Sequence, residues 1–168
     1  MTASRIVVMG PSGSGKSAVG AAVAARLGLP FVDADDLHPI ANVQKMVVGT
    51  PLDDEDRMPW LDVVAARLRD AGGGAVVACS ALARRYRERL LAGAPDAVFV
   101  ELCVSRAELE RRMAGREHFM PTSLLTSQLQ TLEHLDPDEP GIVVAGDPPL
   151  ADVVDAAVTA LRRLPLVR

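Results

Sequence analysis

MGPSGSGKSAV, residues 9 to 19, decides how the rest of the chain is read. It fits G-x-x-x-x-G-K-[ST], running from Gly10 through Gly15 and Lys16 to Ser17. The segment before it, Arg5-Ile-Val-Val-Met9, reads as a short buried strand. The segment after it, with Val19, Val23 and Leu27 on one side, reads as an amphipathic helix. Strand, glycine loop and helix, in that order, make a phosphate cradle. Gly10, Gly13 and Gly15 let the backbone N–H groups of a loop that also holds Pro11, Ser12 and Ser14 turn inward around a β-phosphate. The helix N-terminus adds its positive dipole end. Lys16 is placed to reach the β- and γ-phosphates, and Ser17 to offer its hydroxyl to Mg²⁺. A glycine-rich turn with no ligand is the bland alternative, disfavoured because so long a pattern rarely arises by chance.

The composition narrows the class. At 168 residues the chain is predicted to form one domain, residues 1–168, with a substantial core. Apolar residues make up 49% of it, yet no apolar run approaches the ~20 residues of a membrane span. The chain enters its first strand almost at once, which leaves no room for a signal peptide. Cys79 and Cys103 fall in predicted strands without C-x-x-C spacing, so both are expected to pack in the core of a reduced, cytoplasmic protein. A net charge of −4 with no basic block argues against nucleic acid as a partner. Sixteen of the eighteen basic residues are arginine, which makes Lys16 and Lys45 positions where a compact ammonium is wanted.

Strand-like runs recur at Ile6–Met9, Phe31–Asp33, Ala75–Cys79, Val98–Leu102 and Ile142–Ala145. Helical patterns lie between them at Lys16–Leu27, Pro59–Ala71, Ala83–Ala92, Arg106–Ala114, Ser123–Leu132 and Leu150–Leu164. This alternation predicts an α/β/α three-layer fold around a five-stranded parallel sheet. Ligands gather at the carboxyl ends of such strands. The stretches there are the phosphate loop, DADDLHP (33 to 39), CSAL (79 to 82), RRMAGREHFMP (111 to 121) and AGDPP (145 to 149).

A GTPase requires an Asn-Lys-x-Asp motif, and the chain has none. Asp70-Ala-Gly-Gly73 matches D-x-x-G but precedes a strand where a switch loop should follow one. A transporter-type ATPase requires an aspartate closing an apolar strand, whereas the third strand runs out into Ala78-Cys79-Ser80. A small-molecule or nucleotide kinase remains. DADDLHPIANVQKMVVGTPLDDEDRMPWL, residues 33 to 61, then ACSAL, YRE (86 to 88), HFMP and LLTSQLQTLE, closely resemble the gluconate kinase pattern. Together these motifs cover the chain from Gly10 to about Glu133.

The resemblance implies a P-loop kinase of the shikimate-kinase and nucleoside-monophosphate-kinase type. It implies a mobile lid at roughly 111–125, ATP, D-gluconate and Mg²⁺ as partners, 6-phospho-D-gluconate as product, and a homodimer. Three positions depart from the family: Ala83 where lysine is usual, Glu88 for aspartate, and Glu117 for glycine in the lid. On this reading Asp35 faces the acceptor as base or hydroxyl anchor, and Asp33 orients Mg²⁺ through water, although both could merely cap the next helix. Arg57 clasps the gluconate carboxylate, Lys45 supplies a point charge and His38 bonds a hydroxyl. Ser80 either touches the γ-phosphate region or is a turn hydroxyl, and Arg87 reaches substrate. Arg116 stabilises the transferring phosphate with Arg112 behind it, while His118 and Gln128 lie near the closing region. Trp60 is expected in the core, and Arg111 and His134 on the surface without partners. The rivals are the same fold acting on shikimate or a nucleotide, and a non-catalytic nucleotide-binding module.

Overall fold

The structure, a computed structural model, describes residues 4–115 and 122–165. Five strands form one parallel sheet in the order β2-β3-β1-β4-β5. They are β1 (Arg5–Met9), β2 (Phe31–Asp33), β3 (Ala75–Ala78), β4 (Val98–Cys103) and β5 (Gly141–Ala145). Because β1 lies at the centre, between β3 and β4, its carboxyl end opens at the switch point where loops diverge to opposite sides.

Strand alternation divides the core in two. Val7, Met9, Val77, Cys79 and Phe99 face one layer, formed by α3 (Asp54–Asp70) and α4 (Arg84–Gly93). Ile6, Val8, Val76, Val100, Leu102 and Val144 face the other, formed by α1 (Lys16–Leu27) and α7 (Leu150–Leu161). A smaller cluster of Leu109, Met113 and Leu125 joins α5 (Arg106–Ala114) to α6 (Thr122–Thr131). Among the described residues no helix is long and apolar enough to cross a membrane.

The acceptor segment departs most from the periodicity reading. It holds an unexpected helix, α2 (Ile40–Val47), whose Ile40 and Val47 point outward at 76% and 53% exposure. With its large apolar residues outside, α2 carries no core-facing stripe to recognise. The helix expected from Pro59 begins at Asp54 instead, because a capping box sets the start. The Asp53 carboxylate accepts from Asp56 N at 2.9 Å, and Asp56 accepts from Asp53 N at 3.1 Å. Pro59 therefore lies inside the helix, near its start.

Candidate active site

The phosphate loop runs from β1 to α1 as the motif requires. Gly10, Gly13 and Gly15 have φ of 154°, 83° and 87°, conformations that side chains rarely adopt. A Cβ at Gly10 would stand 2.6 Å from Ser14 Oγ. Ser14 Oγ is itself buried and has no hydrogen-bond partner among the described residues. Lys16 is only 9% exposed, and among the described residues no hydrogen bond or ion pair reaches it. A buried ammonium and an orphaned hydroxyl in a glycine cradle leave anion-binding capacity open, and a phosphate chain would fill it.

A candidate cation site adjoins the loop. Ser17 Oγ donates to Asp33 Oδ2 at 2.6 Å, so the motif hydroxyl and the carboxylate at the end of β2 converge. Two hard oxygens suit Mg²⁺, which keeps waters and uses few carboxylates. Among the described residues no cluster of three His, Cys, Asp or Glu could hold a metal on its own. Asp33 Oδ1 also accepts from Asp35 N at 3.0 Å, so the aspartate caps the short 3₁₀ turn Ala34–Leu37 as well as facing the loop.

That turn aims Asp35 into a cleft shared with Lys16, His38, Arg57, Ser80 and Gln128. Desolvation by the cleft walls raises the Asp35 pKa, offset by the Lys16 charge and reinforced by Asp33 and Asp36. Half of its side-chain surface (54%) still meets solvent, so a substrate hydroxyl can reach it. His38 stacks on Trp60 with centroids 4.0 Å apart and planes 15° from parallel. Burial, and then Arg57, push its pKa down to about 4, so the ring is neutral at pH 7. Asn42 Nδ2 lies 3.2 Å from His38 Nδ1 and also donates to Asp56 O. An amide NH₂ can only donate, so Nδ1 accepts and the proton sits on Nε2, 4.0 Å from Asp35 Oδ1. Trp60 is core as expected, donating to Ala34 O at 2.7 Å, but its ring also forms cleft wall.

Gln128, on α6, accepts from Ser12 N at 2.8 Å and ties that helix to the phosphate loop. Ser80 lines the cleft while its carbonyl accepts from Gly10 N at 3.3 Å. Arg112 bonds Gly13 O at 3.1 Å, Gly146 O at 2.7 Å and Glu108, so it bridges two loops. Together with Pro148 and Leu150 it walls a second hollow on the far side of the phosphate loop. The AGDPP stretch at the end of β5 was the signal for that hollow. Arg116 and His118 lie outside the described residues.

Several expectations need correcting. Arg87 does not reach the cleft. It is fully buried, forks onto Glu139 at 2.6 and 2.9 Å, and gives its remaining donors to carbonyls that include Ala81 O and Glu133 O. Lys45 makes a two-pronged ion pair with Asp56 at 2.7 and 2.8 Å, away from the cleft lining. His134 has a partner: its Nδ1 contacts the buried Glu101 carboxylate, which also accepts from Leu135 N. Arg111, exposed as expected, pairs with Glu108. Cys103 is exposed because it ends its strand; Cys79 is buried and its thiol pKa is pushed up to about 12. The sequence reading passed over Asn42 and Tyr86, which touch the cleft only through other side chains.

A family model described as an AAA domain matches residues 6–135. The gluconokinase of Gluconobacter oxydans (strain 621H) is 51% identical over 146 residues, 84% of this chain and 82% of that protein. The thermosensitive gluconokinase of Escherichia coli (strain K12) is 42% identical over 151 residues, 85% of this chain and 79% of that one. The crystal structure of a gluconokinase from Sinorhizobium meliloti 1021 superposes with a TM-score of 0.90 at 46% identity, covering 96% of this chain and 93% of that one.

Proposed function

The chain belongs to the gluconokinase family, and we propose that it transfers the γ-phosphate of ATP to the primary hydroxyl of D-gluconate, giving 6-phospho-D-gluconate and ADP. The observation that carries this reading is the shared cleft, which puts the phosphate-loop Lys16, the desolvated Asp35 and the Arg57 guanidinium around one space. An anionic polyol fits those three groups at once.

The backbone N–H groups from Gly10 to Ser17 and the Lys16 ammonium neutralise the β- and γ-phosphates. Ser17 and Asp33 would hold Mg²⁺, which would supply charge neutralisation for the transferring phosphate. The nucleotide base takes the hollow between Arg112 and Pro148. Asp35, kept from full ionisation stability by its desolvation, orients the acceptor hydroxyl and takes its proton as the phosphoryl group arrives. His38, neutral and protonated on Nε2, donates to a neighbouring hydroxyl without adding a positive charge. Arg57 receives the carboxylate at the other end of the acceptor. A cytoplasmic site of action, one kinase domain over residues 1–168 and a homodimer complete the proposal, the first supported by two free thiols.

A coupled ADP-release assay over gluconate, other aldonates, shikimate and nucleoside monophosphates tests it. Gluconate should win by a wide margin. Equal rates with a nucleotide acceptor, or no rate with any acceptor, would overturn the assignment and favour the rival readings.

A further inference from the structure

Arg57 lines the acceptor cleft but has no carboxylate partner among the described residues; its one hydrogen bond goes from Nη1 to Tyr86 OH at 2.7 Å. Tyr86 is 2% exposed and lies behind the cleft wall. Its hydroxyl also receives Arg85 Nη2 at 2.9 Å and reaches Asp54 Oδ1 at 2.6 Å. Two guanidiniums can only donate, so the hydroxyl accepts from both and donates its single proton to Asp54. Every hydrogen-bonding valence of that oxygen is used, and its direction is fixed. Arg85 closes the circuit by forking onto Asp54 at 2.8 and 3.0 Å. The two guanidiniums also flank the Tyr86 ring, 5.1 and 4.5 Å from its centroid. Arg85 and Tyr86 hold the Asp54 pKa down at about 2, so the carboxylate keeps its charge throughout the working range.

The geometry points to Tyr86 as the positioning residue that makes Arg57 a reader of the acceptor's negative charge. It does so by holding the guanidinium away from Asp54. Asp54 is the nearest carboxylate in this circuit, and its oxygen Oδ1 is already taken by Tyr86 and Arg85. Without the tyrosine hydroxyl, that oxygen loses one of its two donors and Arg57 is drawn to it. The pairing would satisfy the guanidinium inside the protein and withdraw it from the cleft. Specificity for an acid over its neutral analogue thus depends on a residue that touches no substrate. The inference rests on the gluconate reading above.

The test is Tyr86→Phe, assayed with D-gluconate and with D-gluconamide, which lacks the charge, at saturating ATP. The KM for gluconate should rise about tenfold, as expected for losing a hydrogen bond to a charged group. The kcat, the KM for ATP and the KM for gluconamide should stay within about twofold. Asp54→Ala, at a half-exposed helix start, removes the anchor of the same circuit. Because the carboxylate that would draw Arg57 away is then gone, Asp54→Ala alone should leave the gluconate KM within about twofold, and added to Tyr86→Phe it should return that KM toward the wild-type value; a double variant as weak as Tyr86→Phe would overturn the inference. An equal rise in KM for both acceptors would reduce Tyr86 to a packing residue and overturn the inference. So would an unchanged gluconate KM in a Tyr86→Phe enzyme that phosphorylates gluconate normally. A wild-type enzyme inactive on gluconate would overturn this inference together with the function it rests on.

Discussion

Two regions of this molecule use arginine and carboxylate in opposite ways. In the cleft, among the described residues, the Lys16 ammonium has no hydrogen-bonded partner, the Arg57 guanidinium has one hydrogen bond, and Asp35 is desolvated and meets the Lys16 charge only through space. Behind α4, Arg87 gives every donor to Glu139 and to backbone carbonyls, and Arg84 bridges Asp136, Asp138 and Glu88. That second region fastens the return from α6 onto the loop holding Ala81, the one described non-glycine residue with positive φ, at 44°. Glu133 N completes the fastening by donating to Leu82 O at 2.7 Å. Polar groups that stabilise a fold have their bonding capacity filled within the chain. Those that bind a ligand hold it open, at a cost in stability.

The largest effect should come from Asp35→Asn, which keeps size and removes the proton acceptor. Turnover should fall by about 10²–10⁴ with ATP affinity little changed. The same variant should melt at a higher temperature than wild type at pH 8 in the absence of ligands. A raised carboxylate pKa in the folded state favours the protonated form, so the penalty for ionising Asp35 grows as pH rises through that pKa and vanishes below the ordinary carboxylate range. A lost turnover with no stability gain would break the contrast between the two regions. If gluconate affinity collapses while saturated turnover holds, Asp35 is an anchor instead of a base.

Arg87→Met should do the reverse. It strands the Glu139 carboxylate, which is 5% exposed, and should lower unfolding free energy in urea by about 3–5 kcal/mol. The kcat of the protein that remains folded should be nearly normal, and adding Glu139→Leu should recover much of the loss. A folded Arg87→Met enzyme with a large, selective rise in gluconate KM would return Arg87 to the substrate site.

Lys16→Ala should reduce turnover by about 10²–10³ while folding survives, because among the described residues the ammonium has no bonded partner to lose. Circular dichroism and the ADP-release assay together check both halves. Normal turnover would remove the phosphate loop from the mechanism.

The smallest effect concerns His38. Its pKa falls from about 6.5 in the unfolded chain to about 4 in the folded one. The unfolded state therefore binds the extra proton first. The stability His38 contributes is complete above about pH 6.5 and is lost as pH falls toward about 4. Comparing urea midpoints at pH 7 and pH 4.5, wild type should lose about 1–2 kcal/mol more than His38→Asn, which cannot titrate. Equal losses would mean that the ring is not kept neutral by its burial and by Arg57.

Gly10 to Ser17 could be read correctly from sequence because each residue acts through its own backbone or reach: glycines take φ that others avoid, and the lysine follows at a fixed offset. The order of strands and helices was legible for a similar reason, since a parallel sheet buried on both faces leaves continuous apolar runs. Asp33 and Asp35 could be placed because they end a strand that the topology brings beside the phosphate loop. Helix α2 escaped because Ile40 and Val47 face solvent and the residue it buries fully is Asn42, and the start of α3 because Asp53 and Asp56 cap it ahead of Pro59.

By itself, then, the sequence determined what is local and periodic: the cradle, the sheet, and the residue types gathered at its carboxyl edge. Only the tertiary structure decided which charges are filled and which stay open. Arg57 follows the acidic run DDED, residues 53 to 56, and Arg87 lies 30 positions on within the arginine-rich RRYRER, residues 84 to 89. One meets Tyr86 at a cleft wall, and the other meets Glu139 from 52 residues away. A guanidinium's role is set by the partner that folding brings to it, and nothing in its own neighbourhood along the chain records that encounter.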